Sequence, residues 1–183
     1  MTETIENKNT TKTKTSKQNS PKVKELKDKP VIPKEVDIHE YISVKNGFQG
    51  TLVYISPRTG EVFIWDSFGD EQEMELGELK NAKNSAKDFF INNWFMFDED
   101  TSWVIDYLGM GAFYKFTRTI DDIDKFFELS ADEMIEEGKK MSKGLKKSIS
   151  YRARDMISSG ELDSVKLIKA LEEALETELV IKE

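Results

Sequence analysis

Seven cations crowd residues 139–154: Lys139, Lys140, Lys143, Lys146, Lys147, Arg152 and Arg154, with no acid among them. Side chains of this kind neutralise phosphates or pair with carboxylates. The segment that follows is acidic, with Glu172, Glu173, Glu176 and Glu178. Pairing of a basic helix with an acidic one, within the chain or between subunits, is therefore the first expectation. Contact of the basic helix with a phosphate backbone is the alternative. Two helices joined by a short Gly-containing turn have a helix-turn-helix outline, yet the second helix, which would enter a groove, has the wrong sign for base readout. A second candidate surface is aromatic, built from Tyr54, Phe63, Trp65 and Phe68. Strand alternation puts Phe63 and Trp65 on one face. Aromatics so spaced are more often core; turned outward, they form a groove for a peptide or a single-stranded nucleic acid.

Acidic clusters occur at Asp70-Glu71, at Asp98-Glu99-Asp100 and at Asp121, Asp122 and Asp124. None has the alternating twelve-residue layout of an EF-hand loop. Acids at a helix start meet the positive end of the macrodipole, which accounts for the last cluster without a metal. Paired carboxylates are the one catalytic chemistry the composition leaves open, and Asp70 or Glu71 near Asp98 is the pairing a fold could make. Nothing in the spacing supports it. The glycines match neither a P-loop nor a dinucleotide fingerprint, and His39, the one histidine, has no triad-like surroundings. With no Cys, there is no disulfide framework, thiolate zinc site or cysteine nucleophile. The expectation is a protein that is not an enzyme, with no cofactor and no metal.

The elements that must position these residues follow from periodicity. Ile42 and Val44 alternate with polar neighbours as a short strand. Runs at 51–56 and 61–65, joined by Pro57-Arg58-Thr59-Gly60, predict a β-hairpin. A fourth, weaker strand is expected at Gln72–Leu76. Three or four antiparallel strands suggest a small curled sheet or a partial barrel of the SH3-like kind. From Leu76 the period becomes helical, and Phe89–Phe97 reads as a buried connector or strand at the centre of the core. Short helices are expected at Trp103–Leu108, Ala112–Phe116 and Ile120–Leu129. Thr119 with Asp122, and Ser130 with Glu133, supply capping-box starts, the second for Ala131–Met141. Ser142 opens a longer helix to about Ser158, closed by Gly160, and Asp163 or Ser164 begins the last. The class is α+β: a small N-terminal antiparallel sheet followed by a C-terminal helical bundle.

The chain of 183 residues is 38% hydrophobic and 34% charged, polar yet sufficient for one core. Residues 1–36 read as a disordered basic tail; nine Lys against four acids fall in 1–34, and the remainder holds 18 basic and 31 acidic residues. Residues 37–98 form a β-rich subdomain with one helix, and 99–183 a helical subdomain packed on it. No apolar run approaches the ~20 residues of a membrane span, and the start lacks the apolar core of a secretory signal.

The stretches NGFQGTLVYISPRTGEVFIWDSFGDEQEMELGELKNAKNSAKDFFINNWFMF and YRARDMISSGELDSVKLIKALEEALETELV resemble uncharacterised proteins encoded by tailed bacteriophages of Gram-positive bacteria. The resemblance covers residues 40–183, leaves the basic tail outside, and carries no catalytic motif. It implies a phage-borne protein of the bacterial host cytoplasm or the virion, acting in virion structure or assembly. Other phage subunits or further copies of the same chain are the implied partners, in a homo-oligomer or a larger assembly; the opposite-charge C-terminal helices predict that it meets through 142–180. The alternative is a nucleic-acid-associated accessory or regulatory protein that uses the tail and the 139–154 helix.

Overall fold

The computed structural model describes residues 31–180. The expected tail falls, for residues 1–30, outside the described residues. Five strands come first: β1 (Tyr41–Asn46), β2 (Leu52–Ile55), β3 (Val62–Trp65), β4 (Glu71–Glu75) and β5 (Phe95–Met96), with α1 (Leu76–Ser85) and α2 (Asp88–Ile91) inserted before the last. The helical part follows, as α3 (Trp103–Tyr107), α4 (Asp121–Lys125), α5 (Ala131–Gly138), α6 (Lys143–Ser159) and α7 (Val165–Leu175), with single 3-10 turns at Gly111–Phe113 and Phe126–Glu128. No helix among the described residues is long and apolar enough to cross a membrane. The protein is α+β, an antiparallel β-rich half followed by a helical half.

The β-hairpin forms as its residues dictate. Ser56, buried at the end of β2, accepts from the amides of Arg58 and Thr59 (3.3 and 3.1 Å), and Gly60 takes φ +76°, open to glycine without strain. β2 then pairs antiparallel with β3 through Leu52↔Trp65, Val53↔Ile64, Tyr54↔Phe63 and Ile55↔Val62. The two ladders are separate: β4-β1-β5 makes one sheet and β2-β3 the other. β1 has a neighbour on each edge, and the hairpin is a separate ladder with β3 beside β4. Trp65 bridges the two ladders, its indole Nε1 donating to the Val44 carbonyl at 2.8 Å. Gln72 makes a second bridge, from its Nε2 to the Ile64 carbonyl at 2.9 Å. The expected small antiparallel sheet is present as two separately hydrogen-bonded ladders.

Phe89–Phe97 lies in the core as expected, although it divides into α2, a turn with Asn93 at φ +55°, and β5. Phe90, Phe95, Met96 and Phe97 are fully buried, each adding roughly 1.5–3 kcal/mol. Ala112–Phe116 shortens to one 3-10 turn, and Ile120–Leu129 to α4 with a 3-10 turn. The Ser130–Glu133 capping box is complete, whereas at Thr119 only the reverse half forms, with Asp122 accepting from the Arg118 and Thr119 amides. Ser142 and Ser164 cap α6 and α7, and Gly160 closes α6 at φ +79°.

The two expected subdomains share one hydrophobic cluster, which runs from Ile42 and Trp65 to Ile149 and Leu171. Direct hydrogen bonds also join them. Ser148 on α6 donates to the Gly47 carbonyl at 2.6 Å, and the Gly144 amide donates to Asn92 Oδ1 at 3.2 Å. In the helical half, α5 meets α7 closely because Gly138 faces Ala174; a Cβ there would stand 2.5 Å from the Ala174 carbonyl oxygen.

Candidate functional site

The basic run divides by partner. Lys139 and Lys140 pair with Glu136 and Glu137 one turn back on α5, at 3.0 and 2.9 Å. Lys146 reaches Glu176, just beyond α7, at 2.5 Å, and Arg152 holds Asp124 on α4 at 2.9 Å with Glu161 at 4.0 Å. Only Lys146 with Glu176 is a pairing of the expected kind; the other acids these cations meet lie on α4, on α5 and just after α6. Lys143, Lys147 and Arg154 have no carboxylate within ion-pair distance among the described residues. Arg154 donates to the Glu178 carbonyl at 2.8 Å. Lys147 lies over the rings of Phe48 (5.6 Å) and Tyr151 (5.9 Å), and the Arg154 guanidinium lies 5.9 Å from the Tyr151 ring. Tyr151 and Phe48 did not stand out in the sequence; Tyr151 sits eight positions after Lys143, which puts it on the same helical face.

Phe63 and Trp65 correct the outward reading of the hairpin. They are 7% and 0% exposed, on the face that packs against β1 and β5, with Trp65 5.5 Å from Phe95. Large aromatic surface gains most where water is fully excluded, so the aromatic face turns in. The opposite face takes the solvent: Val53, Ile55, Val62 and Ile64 are 45%, 57%, 51% and 46% exposed. They form two adjacent cross-strand pairs, one aliphatic patch. The signal was present in LVYI and VFIW, which are apolar at both parities and so leave no polar face for water.

Behind the hairpin, Glu78 of α1 is buried. It accepts from the Tyr54 hydroxyl at 2.7 Å, and from Arg58 and Asn81 at 3.3 Å each. Burial alone would raise the Glu78 carboxyl, but these hydrogen bonds outweigh it and hold the group below its usual range. Burial, with the bond to Glu78, pushes the Tyr54 phenol well above its ordinary value. The signs of the pH dependence follow. Glu78 contributes stability that is present above its unfolded pKa and lost as pH falls through the lower folded value. Tyr54 keeps its proton in the folded state after the unfolded chain would release it, so folding weakens as pH rises above 10.0. Thermal melts should give a stability plateau that falls below about pH 4.5 and again above about pH 10. Tyr54→Phe should reduce both limbs, the alkaline one by removing the phenol and the acid one by removing a hydrogen bond that holds Glu78 low; an unchanged alkaline limb would contradict this assignment.

The acids do not make a proton-sharing pair. Lys45 donates to Asp98 and faces Glu71 across the β1–β4 ladder, so a cation separates those two carboxylates. Asp70 closes the Ser67 turn, taking both its amide and its hydroxyl. A cleft of about 910 Å³ in the helical half is lined by further acids, Asp106, Asp122 and Glu137. Arg118 grips Asp106 through both terminal nitrogens, at 2.8 and 3.3 Å. Burial opposes ionisation of Asp122, yet Lys125 and the Arg118 and Thr119 amides together hold its carboxyl below the usual range. Glu137 pairs with Lys140 through one oxygen; its other oxygen and Thr117 Oγ1 have no partner among the described residues. Each acid of the cleft is tied to a cation, an arrangement suited to holding shape and binding polar groups. No family model, curated protein or solved structure matches the chain.

Proposed function

We propose that this chain is a non-enzymatic structural or assembly protein acting through protein–protein contacts, as its resemblance to tailed-phage proteins implies, with the outer face of the β2–β3 hairpin meeting a second copy. The observation that carries the reading is the patch of Val53, Ile55, Val62 and Ile64. β-branched side chains on a short ladder make a flat, stiff apolar surface. The chain carries a net charge of −8, so two copies repel wherever acids oppose one another. The patch offers a meeting place without that opposition. Four half-exposed side chains present on the order of 300 Å², below the ~800 Å² per partner of a stable pair. The contact is accordingly weak singly and effective when repeated, as in an assembly.

Sedimentation velocity of the full chain over a wide concentration range tests this. The expected result is reversible self-association that disappears in an Ile55→Lys, Ile64→Lys variant, whose substitutions lie outside the core. A strict monomer at every concentration, or association indifferent to those lysines, would sink the reading.

A further inference from the structure

The three cations of 139–154 that lack a carboxylate partner are not scattered. Taking Lys143 as origin, Lys147, Arg154 and Tyr151 fall within an arc of about 80° on α6, at 100° per residue. The strip is about 16 Å long at 1.5 Å per residue. Cation and ring alternate along it: Lys143, then Lys147 near Phe48 and Tyr151, then Arg154 near Tyr151. Phe48 is steadied edge-on by Trp94 at 5.7 Å. Elsewhere on α6 the cations are neutralised by Glu176, Asp124 and Glu161. The strip is thus a place on an acidic protein where positive charge is left over, and there it is interleaved with exposed aromatic surface.

We propose that this face of α6 binds single-stranded nucleic acid, with Lys143 and Lys147 meeting phosphates and Tyr151 stacking on a base. A phosphate backbone alone would need only the cations, and an acidic peptide likewise. The exposed ring between two cations favours a ligand that alternates negative charge with flat π-faces. The arc is short, so a few nucleotides occupy it. This surface is separate from the hairpin patch and does not depend on it.

Fluorescence anisotropy of the full chain with labelled oligo(dT), titrated at several salt concentrations, is the test. Intact protein should bind at low salt. Lys143→Gln with Lys147→Gln should flatten the slope of log affinity against log salt by roughly 1.4, two phosphate contacts for a single strand. Tyr151→Ala should weaken binding on the order of tenfold and leave the slope unchanged. All three side chains are at the surface, and circular dichroism melts confirm that each variant is folded. No binding by the intact chain overturns the proposal. So does binding that the variants leave untouched, which would locate it in the lysines of 1–34. Equal competition by polyglutamate, or equal affinity for duplex with Tyr151→Ala silent, would overturn it in favour of an acidic partner or of simple phosphate contact.

Discussion

Trp65→Ala should cost about 3–5 kcal/mol of folding stability, the range for emptying a buried aromatic site. The side chain is fully enclosed, stacked beside Phe63 at 6.4 Å and tilted against Phe95 at 5.5 Å. Its loss removes the packing between the two ladders and withdraws the indole hydrogen bond from the Val44 carbonyl. Against a total of about 5–15 kcal/mol for an ordinary domain, that is a large fraction. Urea unfolding followed by far-UV circular dichroism should show the midpoint falling sharply, and the melting temperature should drop by roughly 10–15 °C. Trp65→Phe keeps a ring in the site and loses the donor, so a smaller cost, about 1–3 kcal/mol, is expected. If Trp65 instead served as an exposed platform, Ala would leave stability within about 0.5 kcal/mol of the parent. That outcome would refute the inward face.

Gly47→Ala is the second large effect. A Cβ at this position would stand 2.2 Å from the Asn93 carbonyl oxygen and 2.7 Å from Met96 Cγ. The methionine can yield; the backbone oxygen cannot, because Asn93 is held in the left-handed region at φ +55°. Gly47 also donates to the Trp94 carbonyl at 2.8 Å and accepts from Ser148 at 2.6 Å. An added methyl group must therefore part β1 from the turn before β5 and drag on α6 together. A cost of about 3 kcal/mol is expected, the upper end for overpacking. Ser148→Ala alone should cost about 1 kcal/mol. In the Gly47→Ala background it should cost less, since the carbonyl it binds has already moved. A double-mutant cycle with additive costs would show that the two halves do not communicate through this bond. A Gly47→Ala protein as stable as the parent would show that the close approach does not exist.

These two residues differ in how far the sequence disclosed them. Strand alternation and aromatic type fit Trp65 both as core and as an exposed partner-binding face, and the choice between them is not legible along the chain. Gly47 sat in NGFQG as turn chemistry. Its role as the point where β1, the 93–96 segment and α6 converge depends on Ser148, 101 positions away. The hairpin's own composition carries a signal of a second apolar face, since Val53, Ile55, Val62 and Ile64 are as apolar as the face opposite them. The cleft residues gave less: the grip of Arg118 on Asp106 has no local signature, and Asp122 looked only like a helix-start acid.

The sequence by itself determined the order of strands and helices, the Pro57–Gly60 turn and the caps at Ser130, Ser142 and Ser164. Alternation, turn φ preferences and capping hydrogen bonds act within four or five residues of one another, so they are readable along the chain. Only the tertiary structure decided which hairpin face met the core and which cations kept their charge unpaired. Arg152 is neutralised by Asp124, 28 positions earlier, and Lys146 by Glu176, 30 positions later, while Lys147 is left beside the rings of Phe48 and Tyr151. Charge and apolar area interact through space, and their balance is set by what the packed core brings into reach.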